Sequence, residues 1–261
     1  MNLLEVVILA VLQGIAEFLP ISSSGHLVLA QHFLGASSPG IALEVVLHLG
    51  TLAAVVILYA RDIAMLAAGV FRLRRDSLRL LGLLALASIP AGVVGLLFED
   101  ALEGVFDSPS VVAFLLVLNG LALTAAGLGR KAAEKSGPGA VGALAAGLAQ
   151  AVAILPGISR SGSTIAALTG TGVSPAGAAR FSFLMSIPAV AAAGALKAAG
   201  GFPAGGPGGP LLVAGFAVSL ATGLFALRLL LRALTRGKLW VFGAYCVAAG
   251  TICSVLMLTG V

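Results

Sequence analysis

The chain has 261 residues, of which 59% are hydrophobic and only 10% are charged. Soluble domains carry about 25% charged residues, so this composition excludes a soluble protein and indicates an integral membrane protein. The apolar stretches approach the roughly 20 residues of a membrane helix, whereas a β-barrel would show short alternating segments. The sequence therefore predicts an all-α fold.

The net charge is +5, which by itself could suggest a nucleic-acid partner. The basic residues, however, fall in short connections between apolar stretches, and few aromatic residues accompany them. This pattern is typical of membrane topology. We therefore expect membrane lipids around the chain and no nucleic acid.

The first element in chain order, residues 3–35, is apolar at both ends and interrupted near its middle by Pro, Ser and Gly. This element has an acidic residue, Glu5, and no Lys or Arg ahead of it, which does not suit a cleaved signal peptide. We therefore expect the element to be retained in the mature protein. Residues 141–171 form a second interrupted region. The halves beside the polar loops are too short to cross a membrane alone, which favours two re-entrant helical hairpins.

Six uninterrupted stretches are predicted to be transmembrane helices. In chain order they are residues 42–59, 80–98, 110–128, 180–199, 210–231 and 239–259. Basic residues cluster around 61–79, 130–135 and 228–238. All of these clusters fall on the cytoplasmic face if 141–171 enters and leaves on the same side, as the positive-inside rule expects. Both termini are then extracytoplasmic.

The two interrupted regions resemble each other. Gln13 aligns with Gln150, and Ser22–Gly25 aligns with Ser159–Gly162, at one offset of 137 residues with a single-residue slip at the prolines. Each unit would hold one hairpin and three spans, and the odd number of spans makes the units an inverted repeat, which is common in transporters. The single membrane domain and its two units have the predicted bounds 1–261, 1–128 and 141–259.

The first interruption carries groups suited to catalysis. Gln13 and Glu17 are four residues apart and share one helix face. After Pro20, the run from Ser22 begins a second short helix, whose N-terminal N–H groups favour anions. His26 can move a proton near neutral pH.

The second interruption places Arg160 among hydroxyls. A charge at the bilayer centre costs roughly 2.5 to 3.5 kcal/mol on insertion scales, so it is kept where it has a partner or a function. For a guanidinium beside serines, the natural partner is a phosphate. Together the two interruptions could bind a phosphate, hold a divalent cation and activate a nucleophile. A purely structural Glu17–Arg160 ion pair, helix-capping serines and a buried structural His26 are the alternatives.

These residues resemble the signatures of the bacitracin-resistance type of undecaprenyl-diphosphatase. The first signature matches Gln13 to His26, and the second matches Pro156 to Thr164 without a break. The resemblance implies hydrolysis of the terminal phosphate of undecaprenyl diphosphate to the monophosphate carrier used in peptidoglycan synthesis. It also implies a bacterial cytoplasmic (inner) membrane location, a site open to the extracytoplasmic side, and a need for Mg²⁺ or Ca²⁺. A homodimer is left open.

The resemblance also implies roles for individual residues. Glu17 would bind metal or act in acid–base chemistry, and Ser23 and His26 are the candidate nucleophiles, or a nucleophile and its base, with direct attack by water also open. Arg160 would clamp phosphate. The hydroxyls expected to hydrogen-bond the phosphate oxygens are those of Ser22, Ser159, Ser161 and Thr164.

One position departs from the family pattern. Many members have Glu where this chain has Gln13, whose amide carbonyl is a weaker metal ligand and cannot act as a base. The metal site is therefore predicted to consist of Glu17 with Gln13. Because inverted repeats also suit carriers, a transporter or flippase of a polyprenyl phosphate or another anion is the rival function.

Overall fold

The computed structural model describes residues 1–34, 40–129, 135–199 and 207–259. Within these ranges the regular structure is α-helical, apart from one isolated bridge between Lys135 and Val173. The prediction of an all-α fold is therefore confirmed. The helices of the described residues are α1 Leu3–Phe18, α2 Ser23–Leu34, α3 Ile41–Leu58, α4 Ala60–Phe71, α5 Arg75–Leu97, α6 Glu99–Phe106, α7 Pro109–Leu128, α8 Ala140–Val152, α9 Arg160–Gly170, α10 Pro175–Ala199, α11 Gly209–Thr235 and α12 Leu239–Thr259.

Several of these helices are long and apolar enough to cross a membrane. Five qualify on length and composition, namely α5, α7, α10, α11 and α12. The pair α3 and α4 qualifies together but bends by 73° at its break, so it makes a sixth span if it is counted as one. By these criteria the chain is a multi-pass membrane protein with five to six spans.

The segment after residue 59 differs from the sequence-based interpretation, in which residues 61–79 formed a connection. Ala60–Phe71 is a helix, α4. Asp62 in the first turn of α4 forms an ion pair with Arg180 of α10 at 2.6 Å. The charges at its start suggest the end of a span in the sequence. In the structure they lie on one amphipathic helix, whose charged first turn is paired to a neighbour.

Both interrupted regions are broken helices, as predicted. The first breaks between Phe18 and Ser23 around Pro20, and the second breaks between Val152 and Arg160. Pro20 and Pro156 lie within these breaks, where the missing proline N–H removes no helical hydrogen bond.

The packing brings the two breaks together inside the bundle. Helix α1 packs along α11, α8 along α5, α3 against α10, and α7 against α12. Close approaches between helices depend on glycine, because a Cβ on Gly120 of α7 would lie 2.6 Å from the Gly243 carbonyl oxygen of α12. Both α2 and α9 contact α7. One helix, α7, therefore supports the second half of each broken region.

Candidate active site

The break between α1 and α2, here called the first tip, gathers two polar side chains around one carboxylate. Glu17 lies in the last turn of α1, one turn after Gln13, and Ser23 is the first residue of α2. Glu17 Oε2 accepts a hydrogen bond from Gln13 Nε2 at 3.1 Å and another from Ser23 Oγ at 2.9 Å. The carboxylate is therefore held in place by its own hairpin.

The break between α8 and α9, here called the second tip, presents Arg160 to the same carboxylate. Ser159 caps α9, since its Oγ accepts from the Gly162 N–H at 3.2 Å. Arg160 follows as the first helical residue and forms an ion pair with Glu17 Oε1. The two side chains are only 16% and 9% exposed, so this pair is held largely away from solvent.

The backbones of the two tips also touch. Ser22 Oγ accepts from the Gly157 N–H at 3.0 Å and from the Gly25 N–H at 3.3 Å. Ser22 has φ 69, a left-handed conformation that is uncommon for a residue with a Cβ. A Cβ on Gly25 would lie 2.8 Å from Gly157 Cα, so the backbones of the two tips are too close to leave room for a side chain at Gly25. Glycine at both positions makes this junction feasible.

The other predicted phosphate-binding hydroxyls are buried and already engaged within the protein. Ser161 Oγ lies 3.2 Å from Ser159 Oγ, and Thr164 Oγ1 lies 2.6 Å from Ser182 Oγ. Exposure is 2%, 1% and 0% for Ser159, Ser161 and Thr164. In this arrangement the hydroxyls hold the second tip together, and their contact with a phosphate stays a prediction.

Two buried polar atoms in the site have no partner among the described residues. They are Nη1 of Arg160, a donor, and Oε1 of Gln13, an acceptor. The Gln13 amide cannot be turned around, because its Nε2 must donate to the Glu17 carboxylate. An unused cationic donor and an unused carbonyl oxygen beside one carboxylate could receive an anion and a cation together.

His26 lies in the first turn of α2, but its ring does not bond Ser23. Its Nδ1 lies 2.8 Å from the Ser22 carbonyl oxygen, and its Nε2 lies 2.9 Å from the Tyr245 hydroxyl of α12. The described part of the chain therefore holds His26 and Ser23 through different partners.

The structure adds residues that the motifs do not contain. Asn119 of α7 accepts from the Ser159 N–H at 3.0 Å, and its Nδ2 donates to Cys246 Sγ at 3.5 Å. Tyr245 precedes that cysteine on α12. His48 of α3 is close enough to Glu17 to interact with it electrostatically. These residues lie in apolar helices outside both motifs, so the motifs alone do not connect them to the site; the bonds of Asn119 to Ser159 and Cys246 agree with the use of amides between membrane helices.

The described residues contain no group of three or more His, Cys, Asp and Glu side chains suited to a metal ion. What they offer is one carboxylate, Glu17, with the unused carbonyl oxygen of Gln13 beside it. Mg²⁺ typically binds one or two carboxylates and takes its remaining ligands from water and substrate phosphates. The donor set therefore fits a cation that arrives with, or is completed by, a diphosphate.

Comparison with known proteins assigns the family. The model of the family described as "Bacitracin resistance protein BacA" matches residues 6–252. The chain belongs to this family. It is 43% identical over 252 residues to an undecaprenyl-diphosphatase of Syntrophotalea carbinolica, covering 94% of this chain and 95% of the relative. A relative from Rubrobacter xylanophilus, also named undecaprenyl-diphosphatase, is 40% identical over 271 residues, covering 99% of both chains.

Proposed function

We propose that the protein is a membrane phosphatase that hydrolyses undecaprenyl diphosphate to undecaprenyl phosphate and inorganic phosphate, recycling the lipid carrier for cell-wall synthesis. The ion pair between Glu17 and Arg160, formed where both signature motifs meet, carries this proposal. It brings an anion-binding cation, a carboxylate and the Ser23 hydroxyl into one buried cluster. The names of relatives about 40% identical over nearly the whole chain support the same substrate.

In the proposed reaction, the terminal phosphate binds Arg160, whose Nη1 is free to donate. Because phosphate then shares the guanidinium, Glu17 loses part of its ion pair and becomes available as a base. Ser23 Oγ attacks the terminal phosphorus and passes its proton to Glu17, to which it is already hydrogen-bonded. The bond from phosphorus to the bridging oxygen breaks, and undecaprenyl phosphate leaves.

A water molecule then completes the reaction. It attacks the phosphoserine at phosphorus and gives its proton to His26, while Glu17 returns its proton to the leaving Ser23 Oγ, so inorganic phosphate leaves with Ser23 restored. Direct attack by water or by His26 would need no phosphoserine. Attack by His26 would give a phosphohistidine and attack by water no phosphorylated enzyme, so identifying the phosphorylated side chain separates the three routes.

Glu17 and Gln13 would hold a divalent cation, Mg²⁺ or Ca²⁺, against the diphosphate. Such an ion neutralises charge on the phosphate and leaving-group oxygens as the bond breaks. The residues Ser22, Ser159, Ser161 and Thr164 act in this proposal mainly by fixing the two tips. Ser22 Oγ accepts from the Gly157 N–H across the junction, Ser159 and Ser161 bond each other within the second tip, and Thr164 bonds Ser182 of α10.

We also propose the finer architecture of six spans and two re-entrant hairpins in an inverted repeat. The packing is consistent with a pseudo-two-fold axis, because α1 lies along α11 in the same way that α8 lies along α5. In this arrangement α3 meets its counterpart α10, and α7 meets α12. The proposed units are those delimited in the sequence, 1–128 and 141–259.

In the proposed topology the protein lies in the cytoplasmic (inner) membrane with its site open to the extracytoplasmic side. The basic clusters around 61–79 and 228–238 are then cytoplasmic and both termini extracytoplasmic, following the positive-inside rule. Reporter fusions at each terminus would test this orientation. A homodimer stays a prediction.

Phosphate release from undecaprenyl diphosphate by the purified protein in detergent tests the proposed function. We expect release that depends on a divalent cation and stops with a chelator. No release by the wild-type protein would contradict the proposal. If a liposome assay then showed movement of the lipid phosphate between leaflets, the rival function of a flippase would account for the same site.

A further inference from the structure

Tyr245 of α12 contacts His26 of the first broken region. It lies on α12 and is 219 residues from His26 in the sequence, yet its hydroxyl is 2.9 Å from His26 Nε2. The two rings are nearly parallel, with 9° between their planes and 5.6 Å between their centroids. Both a hydrogen bond and ring packing therefore join α12 to the first hairpin.

The hydrogen bonds of His26 determine its tautomer. A carbonyl oxygen can only accept, so the 2.8 Å contact between Ser22 O and His26 Nδ1 requires the proton to be on Nδ1. In the neutral ring Nε2 then carries the lone pair, and the Tyr245 hydroxyl donates to it. Nε2 is thus the only basic nitrogen of His26, and it is directed towards Tyr245.

The hydroxyl of Tyr245 can also serve the protonated ring. Because the Tyr245 hydroxyl occupies the one lone pair of Nε2, a proton reaches this nitrogen through the phenol: Nε2 takes the hydroxyl proton while the phenol oxygen takes one from water, and the phenol oxygen then accepts from the new Nε2–H. The same side chain therefore orients His26 before proton transfer and stabilises it afterwards. The Ser22 carbonyl, fixed at the junction of the two tips, holds the other side of the ring in both states.

We propose that Tyr245 is a positioning residue for the hydrolysis, holding the His26 ring in the tautomer and orientation in which Nε2 can accept a proton. The inference rests on the proposed function, since it assigns how the base of that reaction is held. Tyr245 is not proposed to touch the reacting phosphorus.

A purely structural role for Tyr245 is the competing explanation. Its side chain is 47% exposed, and tyrosines commonly anchor membrane proteins at the interface. Such an anchor depends mainly on the ring, whereas positioning His26 depends on the hydroxyl. Tyr245→Phe separates the two, because it keeps the stacked ring and removes only the hydrogen bond.

The chain supplies a matched control. It contains two tyrosines. The other tyrosine, Tyr59, lies between α3 and α4 and is 7% exposed. Its ring packs against Phe183, with ring centroids 6.1 Å apart. Tyr59→Phe removes the same group from a position outside the site, so it reports any general effect of losing a tyrosine hydroxyl.

Kinetics of purified variants give the first readout. For Tyr245→Phe we expect kcat to fall by roughly threefold to tenfold, the loss of about one hydrogen bond, with KM unchanged. Tyr59→Phe should keep the wild-type kcat. If Tyr245→Phe also has the wild-type kcat, or if only KM changes, the positioning role is wrong.

Side-chain nitrogen NMR of histidine-labelled protein gives a second readout that needs no turnover. The chain has three histidines, so a His26→Gln variant identifies the His26 signals. At alkaline pH we expect wild-type His26 to be protonated on Nδ1 alone, and Tyr245→Phe to show altered Nε2 shifts or a mixture of tautomers. Identical His26 spectra in the two proteins would overturn the inference, even if the wild type released no phosphate and the proposed function failed.

Discussion

Glu17 and Arg160 lie 143 residues apart in the sequence and form an ion pair between the tips of two broken helical regions. Neither tip has a complete site, because the carboxylate and Ser23 come from one and the guanidinium comes from the other. Burying a charge pair is costly, and such pairs are often worth little to stability. Retaining one at this junction fits a catalytic function better than a structural one.

Replacing Arg160 should remove the phosphate clamp. We expect Arg160→Ala to lower kcat/KM by roughly a hundredfold or more, as losses of transition-state donors typically do. Arg160→Lys should recover only part of this loss, because an ammonium group lacks the planar fork that bonds two oxygens. Steady-state phosphate release by the variants gives both values.

The ion pair between Arg180 and Asp62 provides the control for that prediction. Arg180 is 45% exposed and pairs with Asp62 at 2.6 Å, away from the hairpin tips. Exposed pairs contribute about 0–1 kcal/mol, so Arg180→Ala should have nearly wild-type turnover. An equal loss in both variants would mean that arginine replacement harms the fold in general.

Ser23 should carry the phosphoryl group. Its Oγ donates to Glu17 at 2.9 Å, so we expect Ser23→Ala to lose turnover and to yield no phosphorylated protein when the reaction is quenched with detergent at neutral pH, which preserves both phosphoserine and phosphohistidine. Wild type and His26→Ala, in which hydrolysis of the intermediate is slowed, should be labelled by substrate with a radioactive terminal phosphate. Labelled Ser23→Ala, or full activity of that variant, would instead favour His26 or water as the nucleophile.

Gln13 should set the demand for metal. Gln13→Glu adds a carboxylate one turn from Glu17, and we expect the divalent cation needed for half-maximal activity to fall by roughly tenfold or more, because an anionic oxygen binds Mg²⁺ and Ca²⁺ better than an amide oxygen. Gln13→Leu should show the opposite shift. A metal titration that is the same in all three proteins would exclude Gln13 from the cation site.

Gly25 should be intolerant of a side chain. A Cβ there would meet Gly157 Cα at 2.8 Å, and backbone contacts cannot yield cheaply, so Gly25→Ala should destabilise the protein by about 1–3 kcal/mol and lower activity. A Cβ on Gly82 of α5 would meet nothing within 4 Å, so Gly82→Ala should be neutral or slightly stabilising. Thermal unfolding in detergent compares them, and equal midpoints would contradict the close junction.

Sequence reasoning recovers the elements whose signals are local. Apolar length identifies the spans, and Pro20 and the polar run from Pro156 identify the breaks. Helix α4 was missed because Arg61 and Asp62 look like the end of a membrane span. The bend between α3 and α4 depends on tertiary contacts such as that of Asp62 with Arg180, which no local pattern records.

In the site, too, the residues within dense motifs could be predicted and their distant partners could not. Glu17, Ser23, His26 and Arg160 stand within dense motifs, and the structure brings Glu17, Ser23 and Arg160 into contact. The partner of His26 could not be predicted, because Tyr245 is one aromatic residue in an apolar helix. The buried hydroxyls of the second motif look like free phosphate ligands in sequence, yet in the fold they bond each other and Ser182.

The most direct test of the split site is the turnover of the double variant Glu17→Gln/Arg160→Gln, with the two single variants beside it. Each single change leaves an uncompensated buried charge and should destabilise the protein, whereas the double change removes both charges and should restore stability. We predict that the double variant unfolds at nearly the wild-type temperature and still releases no phosphate from undecaprenyl diphosphate. Recovery of phosphate release in that variant would show that the pair only holds the hairpins together, and would contradict the account.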